Sequence, residues 1–291
     1  MSAFESYWRE RLRFLDVHYH AAPDAFRRRH GVIETGRRYQ ALQGGVVLKN
    51  HLGDSVASAE AARALDLPVF GSTVLNAVAG GPCRRALEAS LCRLQSEHSG
   101  RLLVHLPTVT AASHRSRLSR SHSNPFCEAA FGEAAAICDE QGQLLPQTRE
   151  LLAMARDYPL VISSGHASRN EVMRLLDAAD QLGTPRLMLN QPANPMTGMS
   201  AADLTAIAGP DWLYIEQTAL TYLLGYQDWD DFQTVLRGLP NVVYSSDLGQ
   251  TSQPDIEDWH RQSLGWFDDM RLDSKRRDSV WLETPLAMLA P

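Results

Sequence analysis

Two histidines one residue apart, His18 and His20, follow the apolar approach Phe14-Leu15-Asp16-Val17. In an extended chain alternate side chains share a face, so these rings point together with their Cα atoms roughly 6.5–7 Å apart. That suits two ring nitrogens on one cation. A single H-x-H also arises by chance, and its weight here comes from repetition. Val46-Val47-Leu48 runs into Lys49-Asn50-His51, Leu160-Val161-Ile162 into Ser163-Ser164-Gly165-His166, and Val242-Val243-Tyr244 into Ser245-Ser246-Asp247. A catalytic metal site needs a few nitrogen or carboxylate ligands and an open position for water. His18, His20, His166 and Asp247 satisfy that count, and His51 and Glu216 are further candidate ligands. Asp247 and Lys49 are the candidate catalytic groups. Asp247 would act as ligand and proton acceptor in one. Lys49 would either bridge two ions as a carboxylated amine or hold an anionic group of the substrate. His105, at the end of another apolar run, is either a hydrogen-bonded core residue or a contact to ligand. Glu216 is costly to bury alone and calls for a cationic partner.

These residues need a scaffold that delivers them from distant parts of the chain. Eight short apolar runs do so: Phe14–His18, Val46–Leu48, one opening at Val69-Phe70, Arg101–Val104, Leu160–Ile162, Leu187–Leu189, Trp212–Ile215 and Val242–Tyr244. Helical stretches separate them, among them Ser55–Leu65, Cys83–Gln95 and Pro146–Arg156, and Ser168 with Glu171 forms a capping box for another. Runs without strict alternation, spaced by helices, are the pattern of buried parallel strands. The expected fold is α/β, a (β/α)8 TIM-like barrel in a single domain over 1–291, with room for local distortion. Chemistry in such a barrel gathers at the C-terminal ends of the strands, where the polar residues collect. An N-terminal helix is expected over 1–13 and a helical extension over 255–291, its Trp259, Trp266 and Trp281 packing on the barrel's outside. Residues 108–126 lack hydrophobic period and carry His114, Arg115, Arg117, Arg120 and His122, which reads as a mobile cover over the site or, equally, as a disordered surface insertion.

Composition narrows the function classes. A formal charge of −6 argues against a nucleic-acid surface. No apolar run approaches the roughly 20 residues that span a bilayer. The N-terminus resembles neither a signal peptide nor a lipidation site, so a cytoplasmic protein is expected. Cys83, Cys92, Cys127 and Cys138 form no C-x-x-C pair and read as reduced thiols. No G-x-S-x-G, G-x-x-x-x-G-K-[ST] or G-x-G-x-x-G sequence is present, so serine-hydrolase, P-loop and Rossmann chemistry lack their signatures.

Asp16-Val17-His18-Tyr19-His20 with Asp247 resembles the metal motif of the amidohydrolase superfamily. Val47-Leu48-Lys49-Asn50-His51 with Ser245-Ser246-Asp247 is similar to the polymerase-and-histidinol-phosphatase group. The chain most resembles a family of unknown function between these two, through His18-Tyr19-His20-Ala21-Ala22-Pro23-Asp24, the Lys49/His51 pair and Ser164-Gly165-His166-Ala167-Ser168, over about Asp16 to Gln250. The resemblance implies a divalent metal, zinc first with manganese or iron as alternatives, on His18, His20, His166 and Asp247, with Lys49 and His51 close by. Relatives end strand six in Thr-His-Pro, where this chain has Asn190-Gln191-Pro192. A single-ion site follows more readily from that change than a binuclear one.

The expected function is a metal-dependent hydrolase of the amidohydrolase type, acting on a C–N or C–O bond of a small anionic molecule. His105, Asn76, Gln191 and Arg28 are the expected substrate-binding residues. The alternatives are a mononuclear lyase of decarboxylase type, a phosphoesterase, and a non-catalytic binding barrel. The expected partner is a small molecule, with no nucleic acid and no membrane, and a homodimer is possible.

Overall fold

The structure is a computed structural model and describes residues 2–95, 97–110, 117, 118 and 120–291. Eight parallel strands follow one another around a sheet in chain order: β1 Phe14–Tyr19, β2 Gly44–Leu48, β3 Val69–Val74, β4 Leu102–His105, β5 Leu160–Ser163, β6 Leu187–Leu189, β7 Leu213–Thr218 and β8 Val242–Ser245. Helices alternate with them, and the result is a nearly closed (β/α)8 barrel. The chain just beyond β8 meets β1 to complete the circle. The amide of Asp247 donates to the His18 carbonyl at 2.8 Å, and that of His20 to the Leu248 carbonyl at 2.9 Å.

The strands are buried on both faces, as parallel strands between a core and a shell of helices must be. Their alternation is still plain in the packing. Val46 and Leu48, Leu102 and Val104, Leu160 and Ile162, Leu187 and Leu189, Leu213 and Ile215, and Val242 and Tyr244 pack outward with the helices. Val47, Leu103, Val161, Met188, Tyr214 and Val243 form a separate inward cluster. In β1, Leu15 and Val17 face inward but Tyr19 faces outward. The parity changes because the ladder with β2 is irregular between Asp16 and Tyr19. A bulge of this kind re-aims side chains at a barrel rim.

The surrounding helices follow their sequence signals. Arg169–Leu182 starts at the Ser168/Glu171 capping box and stops at Gly183 with φ of 63°, and it buries Val172, Leu175, Ala178 and Ala179 along one stripe. The N-terminal helix is shorter than expected, Ala3–Arg9. Gly44 and Gly45, which look like helix breakers in the sequence, are the first two residues of β2.

The C-terminal extension divides its work. Ile256–Asp269 packs outside, with Trp259 against Phe14 and Tyr244. Leu282, Leu286, Met288 and Leu289 instead join Phe4, Trp8 and the inward cluster. The expectation of a purely external extension is therefore corrected: its last turns plug the N-terminal mouth, because the inward apolar residues there need covering. Burying a Leu side chain is worth about 1.5–3 kcal/mol.

The expected cover over 108–126 is partly described. His114 and Arg115 lie outside the described residues. Ser121 and Ser123 are tied by backbone hydrogen bonds to Arg27 and Ala25, and Asn124 caps a short helix, Pro125–Ala130. Among the described residues no helix is long and apolar enough to cross a membrane.

Candidate metal centre

On six of the strands, two residues beyond an inward apolar side chain, the same barrel face turns polar. Val47 is followed by Lys49, Leu103 by His105, Val161 by Ser163, Met188 by Asn190, Tyr214 by Glu216 and Val243 by Ser245. A strand repeats every two residues, so these side chains stack as a polar ring on the apolar floor. All are buried. Two of their hydrogen bonds join neighbouring strand ends and one crosses the barrel from β2 to β6: His105 Nδ1 lies 2.9 Å from Ser163 Oγ, Ser245 Oγ donates to Glu216 Oε1 at 2.8 Å, and Lys49 Nζ donates across to Asn190 Oδ1 at 2.8 Å.

His18, His20 and Asp247 converge at the seam where β1 meets the chain after β8. Asp247 Oδ1 is 3.0 Å from His18 Nε2 and 3.1 Å from His20 Nε2. The far nitrogen of each ring is already engaged. His18 Nδ1 lies 2.9 Å from Glu216 Oε1, and His20 Nδ1 lies 2.8 Å from the Lys49 carbonyl. A carbonyl oxygen only accepts, so His20 carries its proton on Nδ1 and turns the Nε2 lone pair toward Asp247. Burial, reinforced by Arg28 and His51, holds the His20 pKa well below the ordinary histidine value. His18 Nε2, close as it is, lacks hydrogen-bond alignment with any partner. The Asp247 carboxyl stays well below the usual carboxylate range despite its burial, because His18 and His20 face it. Burial opposes the charged form of His18, yet Asp247 and Glu216 raise its pKa above the ordinary histidine value, so positive charge, a proton or a metal ion, is favoured between His18 Nε2 and the Asp247 carboxylate.

The backbone holds this arrangement tightly. Asp247 adopts φ of 52°, and Gly249 follows with φ of 120° at a point where a Cβ would come 2.0 Å from the His20 carbonyl. Only glycine fits that approach. Asp16 sits behind the seam, its Oδ1 accepting from the amides of His18 and Ser246 at 3.1 and 3.0 Å, and burial raises its pKa to about 6.

A second group, His20, Asp24 and His51, also brings ligand atoms together, but its carboxylate is already occupied. Arg28 Nε donates to Asp24 Oδ2 at 2.6 Å and Arg28 Nη2 contacts the same oxygen. His51 Nδ1 lies 3.2 Å from that oxygen, and the His51 ring stacks on His20. A cation there would stand against a buried guanidinium. The arrangement orients His51 and buttresses His20.

His166 lines the same cavity as the three converging residues but stands outside their group, with Nε2 3.4 Å from Gln191 Nε2 and a buried Nδ1 that has no hydrogen-bond partner. Gln191 and Lys49 line the cavity as well, and burial pushes the Lys49 amine down to about 8 although Asp247 and Glu216 oppose the shift.

Glu216, expected among the ligands, stands behind His18 and accepts from it, from Ser245 and from the Gln191 amide at 2.9 Å. His51 is likewise in the Arg28/Asp24 cluster and outside the converging three. Three expected substrate contacts are elsewhere too. His105 lies in the ring beneath the cavity. Asn76 is spent on the His51 carbonyl and the Thr108 and Val109 amides. Arg28 is consumed by Asp24. Sequence reasoning missed the roles of Asp24, Asn190 and Ser245; the two-residue step from apolar to polar at each strand end is the signal that could have found the last two.

The cavity above this ring measures about 310 Å³. Beyond the polar ring its lining includes Leu118, Phe131, Met196, Leu220, Leu224 and Tyr226, with Arg120 as the only other cationic side chain besides Lys49 among the described residues.

Fold and site together define a parallel barrel with a histidine–carboxylate cluster at its C-terminal rim. Residues 13–216, more than two-thirds of the chain, match a family of unknown function, DUF6282, and the chain belongs to that family. No curated protein matches the chain. The matched segment contains His18, His20, Lys49, His166 and Glu216, while Asp247 lies beyond it and joins the cluster through the fold.

Proposed function

We propose that this barrel is a metal-dependent hydrolase of the amidohydrolase type, acting on a C–N or C–O bond through a single divalent cation. One observation carries the reading: Asp247 Oδ1 lies 3.0 and 3.1 Å from the Nε2 atoms of His18 and His20, while both far ring nitrogens are tied to acceptors. Two imidazoles and a carboxylate suit zinc first, with manganese or iron as alternatives, and three ligands leave positions open, as catalytic sites require. The occupied Asp24 and the glutamine at position 191 both favour one ion over two.

When bound, the cation supplies a water of lowered pKa and polarises the oxygen of the scissile group. The chain's own residues do the rest. Glu216 and the Lys49 carbonyl fix the tautomers and ring planes of His18 and His20, support of a kind that sets ligand basicity. Asp247 takes the proton of the attacking water and passes it to the leaving group. Lys49, whose only hydrogen-bond acceptor in the ring is Asn190, offers its remaining donors to negative charge on the substrate. His166 and Gln191 border the cavity on the β5 and β6 side and orient what enters.

The single-ion arrangement also favours a second reading, a mononuclear lyase of decarboxylase type. A panel of amides, esters and small carboxylic acids, assayed with chelator-treated and zinc-reloaded protein, separates the two. Hydrolysis that incorporates ¹⁸O from water and depends on reloading supports the first reading. Carbon dioxide release without incorporation of solvent oxygen supports the second and contradicts the first.

A further inference from the structure

Resting on that reading, we infer that the substrate carries a bulky apolar body, an aryl or branched acyl group, seated above the metal ligands. The sequence suggests a small anionic substrate because arginines and Lys49 surround the expected mouth, but among the described residues only Lys49 and Arg120 of these cations line the cavity. Arg28 is buried against Asp24, Arg29 donates to the Thr251 and Gln253 carbonyls, and Arg38 pairs with Glu34 and Glu257. Above the polar ring the cavity lining includes Leu118, Phe131, Met196, Leu220, Leu224 and Tyr226, with Arg120 and Thr221 among them.

These residues come from three separate stretches: the loop after β4 and the helix that follows it, the loop after β6, and the chain after β7. Their convergence is a property of the assembled site. A concave wall of this kind, opposed to a few polar groups, is the usual form of a small-molecule pocket, and 310 Å³ lies at the small end of the range of about 300–1,000 Å³ for such pockets. The polar ring and the metal ligands take the reacting group, and the wall takes the part of the substrate that does not react. Leu220 and Leu224 are central, because the helix Ala219–Leu223 begins directly where β7 ends and so sets the wall's distance from Glu216 and His18.

The test uses two probes that bind through a metal and differ only in their body, acetohydroxamate and benzohydroxamate, titrated into zinc-loaded protein. Benzohydroxamate is expected to bind at least about tenfold tighter, the gain for burying a phenyl ring. Leu224→Asp should bring the ratio close to one, and the milder Leu224→Ala, a safeguard if the charged variant folds poorly, should reduce it in part. Benzamide, followed by NMR line broadening in chelator-treated protein, reads the wall without the metal. Binding of benzamide that Leu224→Asp abolishes supports the inference. Equal affinity of the two hydroxamates, or benzamide binding indifferent to Leu224→Asp, overturns it. If zinc fails to load, the metal reading falls and the benzamide arm alone decides the nature of the wall.

Discussion

The apolar floor and the polar ring of this barrel lie on the same strands, two residues apart, and obey opposite rules. On the floor, Val47, Leu103, Val161, Met188 and Val243 need only volume and apolar surface. In the ring, Lys49, His105, Asn190, Glu216 and Ser245 are equally buried, and each needs a particular partner. The difference shows how one scaffold separates stability from chemistry: the floor stabilises the barrel through packing, and the ring spends part of that stability to hold groups whose donors and acceptors remain available. His105 Nε2 and Asn190 Nδ2 are buried without a hydrogen-bond partner. A fold selected only for stability would not keep them.

The largest expected effect comes from the cluster that supports the rim. Asp24→Ala leaves Arg28 buried with no counter-charge, and should cost about 3–5 kcal/mol in denaturant unfolding. If that variant is as stable as the wild type, the cluster is not the buttress described here. Asp24 also has a pH signature. Burial opposes its ionisation, yet His51 and Arg28 hold its pKa below the ordinary carboxylate range. The stability it contributes is therefore present above about pH 4 and is lost as pH falls further.

A matched pair then separates floor from ring. Leu103→Ala should destabilise by about 2–5 kcal/mol through loss of buried surface and a cavity, and leave zinc affinity within a few-fold of wild type. Glu216→Gln should do the reverse, changing stability little while weakening zinc binding by about 10–100-fold, because His18 loses the carboxylate that orients it. Unfolding curves and competitive zinc titrations on both variants measure the two axes. Equal effects on both would show that floor and ring do not act separately.

Much of the barrel was legible in the sequence, because eight apolar runs spaced by helices leave few other parallel folds, and the ends of those runs pointed to the site. The parts that were not legible share a physical cause. A carboxylate that ligates a metal and one that orients a ligand are the same residue type, so Glu216 could be sorted only once its three donors were known. Arg28 illustrates the same limit: the Asp24 that consumes it is four residues away, and nothing in spacing alone distinguishes that pair from a substrate clamp. The bulge in β1 leaves no residue signature either, since Asp16 to Tyr19 read as an ordinary alternation. The apolar wall escaped because it draws on loops, where hydrophobic period carries no information.

The smallest effect concerns Lys49. The chain has only two lysines, Lys49 and Lys275, so ε-¹³C lysine labelling gives two resonances, and Lys275→Arg assigns them. In metal-free protein the Lys49 resonance should titrate near pH 8, since burial disfavours the charged amine. Its folded pKa is lowered, so the folded state binds fewer protons than the unfolded chain above pH 8, and this term becomes less unfavourable to folding as pH rises through the window. A midpoint above 10 would show that the ring solvates the amine as well as water does.

The central claim is that His18, His20 and Asp247 hold one divalent ion. The most direct measurement is metal content per chain by elemental analysis of protein purified without chelator, for the wild type and for His18→Ala, His20→Ala and Asp247→Ala. The account predicts about one equivalent of zinc, manganese or iron in the wild type and near-complete loss in each variant, with circular dichroism showing the barrel intact. No bound metal in the wild type after incubation with excess zinc, or a full equivalent retained by all three variants, would contradict it.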